Sequence, residues 1–354
     1  MTYRTITALT LSLIACATLL SGCDTSSLAL RSTDSADQEL STTPNQRTAD
    51  IAGPPLPAGS HWIPAGRLEP QPLSTGTPTV KSYRPDSATP AERIPHIVGR
   101  GRLIVGVDQS LNLSSYRDPA TGEIQGFEVD IAHEIARDIF GDPNHIDFRF
   151  LESSDRIPAL ESGRVDLVIR SMAISPDLEK DAAFSIPYLQ ADTRMLALTS
   201  SGITSVQETA GRTICASESS AALNKAATLA PAANLLVTRS WGDCQMALQL
   251  GQADVIMVGD TLLSGMAEQD PYTEIVGEVL GTAYYGVGVR KPDDRADTRG
   301  LIRQVNATLE RIFADGTWNN LFNSWFGAYL APRSLPAPLY FAEDEEPSIE
   351  GRTP

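Results

Sequence analysis

Residues 126–141 read GFEVDIAHEIARDIFG, and their spacing sets how the rest of the chain is read. Phe127, Ile131, Ile135 and Ile139 recur at helical intervals and fall on one stripe. Gly141 supplies the residue type that closes a helix in the left-handed region. Just upstream, Leu103 to Val107 is an apolar run of strand length. Downstream, strands are expected at Asp147 to Phe150 and at Val165 to Ile169, with a helix around Arg156 to Ser162 between them. Strands alternating with helices imply a parallel-rich sheet, hence an α/β protein.

The pattern then starts again on a smaller scale. TICAS (213–217) is expected as a strand, followed by a helix near Ala221 to Thr228, a strand around Leu235 to Val237, a helix over WGDCQMALQL (241–250) and a strand at Ala253 to Val258. After this second unit, YYGVGVRK (284–291) reads as a strand and DTRGLIRQVNATLERIFADG (297–316) as an amphipathic helix. TWNNLFNSWFG (317–327) reads as a last helix, with Trp318, Phe322, Trp325 and Phe326 in the core.

Outside this region the composition changes. The first residues, MTYRTITALTLSLIACATLLSGC, carry one cation at Arg4, an apolar stretch to Leu20 and small residues before Cys23, the layout of an export signal. Leu20-Ser21-Gly22-Cys23 resembles a bacterial lipobox, which makes residues 1–22 a lipoprotein signal peptide and Cys23 the lipidated first residue of the mature chain. An ordinary signal peptide or an uncleaved anchor is the alternative. Lipidation would hold the protein at the outer face of the cell membrane, each buried methylene adding about 0.8 kcal/mol. Residues 23–97 are rich in Ser, Thr and Pro with little periodicity, and are expected as a disordered linker. Within it His61-Trp62-Ile63 is a candidate for packing on the domain. The acidic, proline-rich residues 331–354 are expected as a disordered tail, which leaves 98–330 as the globular domain.

With Cys16 in the signal and Cys23 lipidated, only Cys215 and Cys244 remain, and two thiols in an exported protein suggest one disulfide. His61, His96, His133 and His145 show no ligand spacing, so neither a metal nor another cofactor is expected. A net charge of −16 argues against nucleic acid and against adhesion to anionic lipid without the anchor. Small solutes and protein partners remain, for a monomer.

Five blocks carry a family resemblance: GRLIVGVDQSLNLSSYRD, GEIQGFEVDIAHEIARDI, RIPALESGRVDLVIRSMAISPDLEKDAAFSIPYL, YYGVGVRK and ADGTWNNLFNSWFG. In order and spacing they resemble the family 3 extracytoplasmic solute-binding proteins of amino-acid importers. The lipobox, the spacer and the cysteine pair with WGDC look most like the glutamine/glutamate-binding lipoproteins of actinobacteria. The resemblance implies a type II periplasmic-binding-protein-like fold, with two lobes, two hinge strands and a ligand cleft between. Lobe one would span about 99–193 and 283–329, lobe two about 194–282, with crossings near Arg194 to Leu198 and Thr282 to Tyr285.

The resemblance also implies a site, and here the sequence departs from it. A free amino acid needs a cation for its carboxylate and an acceptor for its ammonium. In the family an arginine after a Thr-rich turn does the first; this sequence has Leu178 at the arginine place and Ala173 at the threonine's. An aspartate does the second; here Gly259 stands there, with Asp260 next along. Leu111 and Ser153 occupy the usual places of the aromatic residues that sandwich the ligand. Arg170 is the candidate replacement cation, with Ser171 and Ser175 beside it; the alternative is that it pairs with a local acid such as Glu152 or Asp155. Asp108 matches a polar cleft residue of the family, or is a turn former. Ser217, Ser219 and Ser220 lie where a strand meets a helix N-terminus, which favours anions, although N-capping explains one of them. Tyr188 and Tyr285 are expected at the hinge.

No nucleophile with an adjacent base stands out, so the chain is expected not to be an enzyme. The expected function is capture of a polar amino acid, of the glutamine, glutamate or aspartate type, for the permease of an ABC importer. A sensory lipoprotein reporting to a membrane receptor, with a degenerate or altered site, is the alternative.

Overall fold

The opening stretch folds as its spacing predicts. In a computed structural model, which describes residues 54–71, 73, 81–331, 333–335 and 337–347, it forms the helix Phe127–Phe140, closed by Gly141 at φ 77°. Phe127, Ile131 and Ile135 are fully buried, and burying each such side chain contributes about 1.5–3 kcal/mol. The Thr317–Phe326 helix packs alongside, Trp318 stacking on Phe322 at 5.1 Å and donating from its indole N–H to the Tyr188 carbonyl at 2.7 Å. Trp325 is only partly buried.

Two sheets organise the domain. The lobe-one sheet runs Ile146–Phe150, Leu103–Val107, Leu167–Val168, Gly288–Arg290, Ala182–Phe184. Its first three strands are parallel, and Gly288–Arg290 lies antiparallel to its neighbours. In lobe two Thr213–Ser217 lies parallel between Asn234–Thr238 and Val255–Gly259, and Leu189–Leu198 and Thr273–Val276 continue the sheet antiparallel. The disulfide joins Cys215 on the central strand to Cys244 on the covering Trp241–Gln249 helix, with Cα atoms 5.5 Å apart.

The lobes are joined by two antiparallel strands. Thr282–Tyr285 pairs with Leu189 to Asp192, and from Thr193 onward the outgoing strand belongs to the lobe-two sheet. The outgoing crossing therefore precedes Arg194 to Leu198, where the sequence suggests it. The Leu189–Leu198 strand is one unbroken run with alternating burial, so nothing local marks where it changes partner. YYGVGVRK likewise divides between two strands, holding the end of Thr282–Tyr285 and the whole of Gly288–Arg290. At the break, a Cβ on Gly286 would meet Ile174 at 2.9 Å, a close approach that glycine permits.

The described parts of residues 23–97 and 331–354 are folded onto the domain, which corrects the expectation of a disordered linker and tail. His61–Ile63 adds an antiparallel edge strand on Asn234–Thr238. Pro90–Arg93 and Pro95–Arg100 are short helices, the first begun by a Thr89–Glu92 capping box, and Tyr83, Ile94 and Ile97 are buried. Asn306 donates to Ser82 Oγ and to the Tyr83 carbonyl, both at 2.8 Å. Arg303 pairs with Glu346 at 2.6 Å. Composition averages over a segment, whereas here a few well-placed apolar residues meet an open sheet edge and a helix face. The signal residues 1–22 and Cys23 lie outside the described residues. Among the described residues no helix is long and apolar enough to cross a membrane.

Candidate functional site

The lobes meet at the C-terminal ends of their parallel strands, where open α/β sheets bind ligands. Asp108 follows the Leu103–Val107 strand and Arg170 follows Leu167–Val168. From lobe two, Ser217 ends its strand and Ser219 and Ser220 lead into the Ala221–Leu229 helix. Between the lobes lies a cavity of about 60 Å³ lined by residues of both. One ordered water takes roughly 10–15 Å³ on this measure, so the space suits a small solute and not a peptide.

Arg170 lines this cavity and is 2% exposed. Its Nη1 donates to Ser153 Oγ at 2.8 Å and its Nη2 bonds Asp108 Oδ2, while Nε has no partner among the described residues. Asp108 is fully buried, and its other oxygen accepts from the N–H groups of Gln109 and Ser110 and from Ser110 Oγ, each at 2.7 Å. The acid facing Arg170 is thus Asp108; Glu152 pairs with Arg239 and Asp155 with Arg164. Asp108 is not on the cavity wall and acts as counterion and turn former.

Ser171 lines the cavity in a left-handed conformation, φ 46°, which costs a non-glycine residue free energy. The conformation is held by Glu128, whose Oε1 accepts the Ser171 N–H at 2.6 Å and its Oγ at 2.9 Å. Ser175 stays off the wall; its hydroxyl accepts the Leu178 N–H at 3.3 Å. Ser217 crosses the cleft to donate to Ser153 Oγ at 2.8 Å. Ser219, at φ 54°, and Ser220 line the lobe-two side, Ser220 Oγ capping the helix through the Leu223 N–H.

Asp260 does not take the place expected of it. It begins the Asp260–Gln269 helix and pairs with Arg333, and its Oδ1 accepts the Asp192 N–H at 3.1 Å. Gly259 does reach the wall, but a Cβ there would lie 2.2 Å from the Tyr285 hydroxyl. A neutral phenol therefore occupies the space into which an acidic side chain at 259 would project. Ala173 and Leu178 also line the cavity and give it an apolar side.

Two cations on the wall were not singled out from the sequence. Arg156 opens the Arg156–Glu161 helix, donating to the Ser153 carbonyl at 2.8 Å and across the cleft to the Ser219 carbonyl at 2.7 Å. Burial first, and then repulsion from Arg170, push this guanidinium down to about 9, with Asp108 opposing; it remains charged at neutral pH. Lys225 comes from lobe two and donates to Thr193 Oγ1 at 2.8 Å. Burial lowers its ammonium against the pull of Asp192. Arg156 resembles any charged helix start, and nothing in its neighbours signals that it turns inward. Lys225 had a signal: it lies four residues after Ala221, on the helix face that its first turn presents to the cleft.

Residues 103–328 match the family described as bacterial extracellular solute-binding proteins, family 3. A glutamine-binding protein of Geobacillus stearothermophilus is 36% identical over 193 residues, 54% of this chain and 74% of the relative. The ABC transporter glutamine-binding protein GlnH of Bacillus subtilis (strain 168) is 29% identical over 225 residues, 63% of this chain and 81% of the relative. Among solved structures, an ancestral arginine-binding protein bound to glutamine superposes with a TM-score of 0.58 at 27% identity, over 64% of this chain and 99% of that one.

Proposed function

This chain belongs to the bacterial extracellular solute-binding proteins, family 3, and from that membership we propose that it captures a polar amino acid and delivers it to the permease of an ABC importer. The relatives are binding proteins rather than enzymes. One observation carries the reading: a small cavity between two hinged lobes, with the buried Arg170 on its wall and its Nε without a partner among the described residues. Charge-assisted hydrogen bonds of the kind a carboxylate would make there contribute roughly 1.5–3 kcal/mol each. The glutamine-binding relatives, with another named for L-glutamate and L-aspartate, support an amino acid of the glutamine, glutamate or aspartate type.

A thermal-shift screen of the full chain against the twenty amino acids tests this. A ligand at a hundred times its Kd adds about 2.7 kcal/mol to the stability of the form that binds it, so at least one polar amino acid should raise Tm by several degrees. No shift with any of the twenty would refute the reading.

Anchoring by lipid at Cys23 is part of the same proposal. It is supported by the lipobox-like Leu20-Ser21-Gly22-Cys23. Cys23→Ala should move the protein from the membrane fraction of cells to the soluble fraction; an unchanged distribution would exclude this anchor.

A further inference from the structure

Among the described residues the cavity has cations on both walls and no carboxylate on either. Arg156 and Arg170 face it from lobe one and Lys225 from lobe two, and none of the described residues that line it is Asp or Glu. The nearby acids are engaged elsewhere. Asp108 is held by Arg170 and the turn at Gln109 and Ser110. Glu128 is held by Ser171 and Tyr188, and Glu152 by Arg239. Asp192 and Asp260 are both held by Arg333. At Gly259, on the same wall, a Cβ would lie 2.2 Å from the Tyr285 hydroxyl, so a phenol fills the space a side chain there would take.

Donors, in contrast, are in surplus. Arg170 is 2% exposed and its Nε lacks a partner among the described residues. Among the described residues Arg156 is bonded only through Nε and Nη2, both to carbonyl oxygens, and Lys225 through a single bond to a hydroxyl. Ala221 and Ala222, the first turn of a nine-residue helix, line the same wall, and a helix N-terminus favours negative charge. A zwitterion placed here would meet counter-charge at its acid end only. An acid group at each end would meet it twice, once from each lobe, and so would draw the lobes together.

We propose that the cleft selects a small dicarboxylate through its two acid groups, one at Arg156 and Arg170 and one at Lys225, and forms no charge pair with an α-ammonium. This rests on the receptor reading above and narrows it to acidic ligands, with the amino group dispensable.

Calorimetric titration of the full chain with glutamate, its deaminated analogue glutarate and its neutral amide glutamine separates the possibilities, repeated with aspartate, succinate and asparagine to allow for chain length. The diacid should bind within about threefold of the amino acid, because no charged partner of the ammonium is lost. The amide should bind roughly ten- to a hundredfold more weakly, the effect of losing one charge-assisted contact. Lys225→Met, which keeps the stem and removes the charge, should weaken the diacid at least tenfold and narrow the preference for glutamate over glutamine. If the amide binds as well as the diacid, if the amino acid binds and its diacid does not, or if Lys225→Met leaves diacid affinity unchanged, the proposal fails while the receptor reading stands. If neither these six compounds nor any amino acid binds, both fail.

Discussion

At the scale of single residues, Glu128 shows how the protein holds a strained conformation next to its cleft. Its Oε1 accepts three donors, the N–H and hydroxyl of Ser171 and the Tyr188 hydroxyl, the last at 2.5 Å. Such donors favour the carboxylate, yet full burial outweighs them and raises the pKa. The folded protein therefore keeps this proton to a higher pH than the unfolded chain does. The resulting stability is fully present below the unfolded value, about 4.3, and is lost as pH rises through the folded one, at up to about 1.4 kcal/mol per pH unit. Glu128→Gln cannot titrate and should remove that loss. In urea unfolding from pH 4 to 8, the difference in stability between wild type and variant should shrink and then change in the variant's favour as pH rises; a difference independent of pH would show that Glu128 does not titrate in this window. The same scale explains why the site was only half legible in the sequence. A strand-end arginine followed by serines announces a polar site, and Arg170 and Ser171 do line the cavity. Its partner Asp108 lies 62 residues away in the chain, and no local pattern chooses it over Glu152 or Asp155.

At the scale of elements, periodicity was informative wherever one face of an element is buried along its whole length. The helices Phe127–Phe140, Trp241–Gln249 and Arg299–Ala314 follow their apolar residues closely, and Thr213–Ser217 is the strand that TICAS suggests. The disulfide follows from cysteine number and compartment, and with a separation of 29 residues its constraint on the unfolded chain adds roughly 3.6 kcal/mol. The signal failed for elements whose pattern is set by something other than one buried face. The Asp260–Gln269 helix is buried over its first seven residues, polar Asp260, Thr261 and Ser264 among them, so its sequence lacks the split into an apolar and a polar face that marks a surface helix. Asp260, which lies next along from Gly259 beyond the strand expected to end at Val258, is the first residue of this helix and turns toward Arg333. The strands Ser110–Leu111, Ser115–Arg117 and Ile124–Gln125 are too short to carry a period at all.

At the scale of the whole molecule, the lobes are held shut by contacts that a ligand does not need to supply. Arg156 bonds the Ser219 carbonyl, Ser217 bonds Ser153, and Arg239 pairs with Glu152 across the cleft. Away from the cavity, the chain leaving the last lobe-one helix adds a strap. Tyr329 donates to Glu268, and Arg333 binds both oxygens of Asp260, lies 3.4 Å from Asp192 and donates to the Gln190 carbonyl at 3.2 Å. Asp260 is nearly buried, so opening the lobes would expose a carboxylate and break a partly buried pair. Closure of this type is a two-state equilibrium, and apparent affinity falls in proportion to the fraction of molecules able to bind. Arg333→Ala should therefore act without touching the ligand. Removing hydrogen bonds to a charged group costs about 1.5–3 kcal/mol, enough to shift closing by roughly ten- to a hundredfold. Small-angle scattering of the solute-free variant should give a larger radius of gyration than wild type, and saturating amino acid should bring the two together. Identical scattering without solute would show that the strap contributes nothing to closure, and would leave the bonds across the cleft to hold the lobes by themselves.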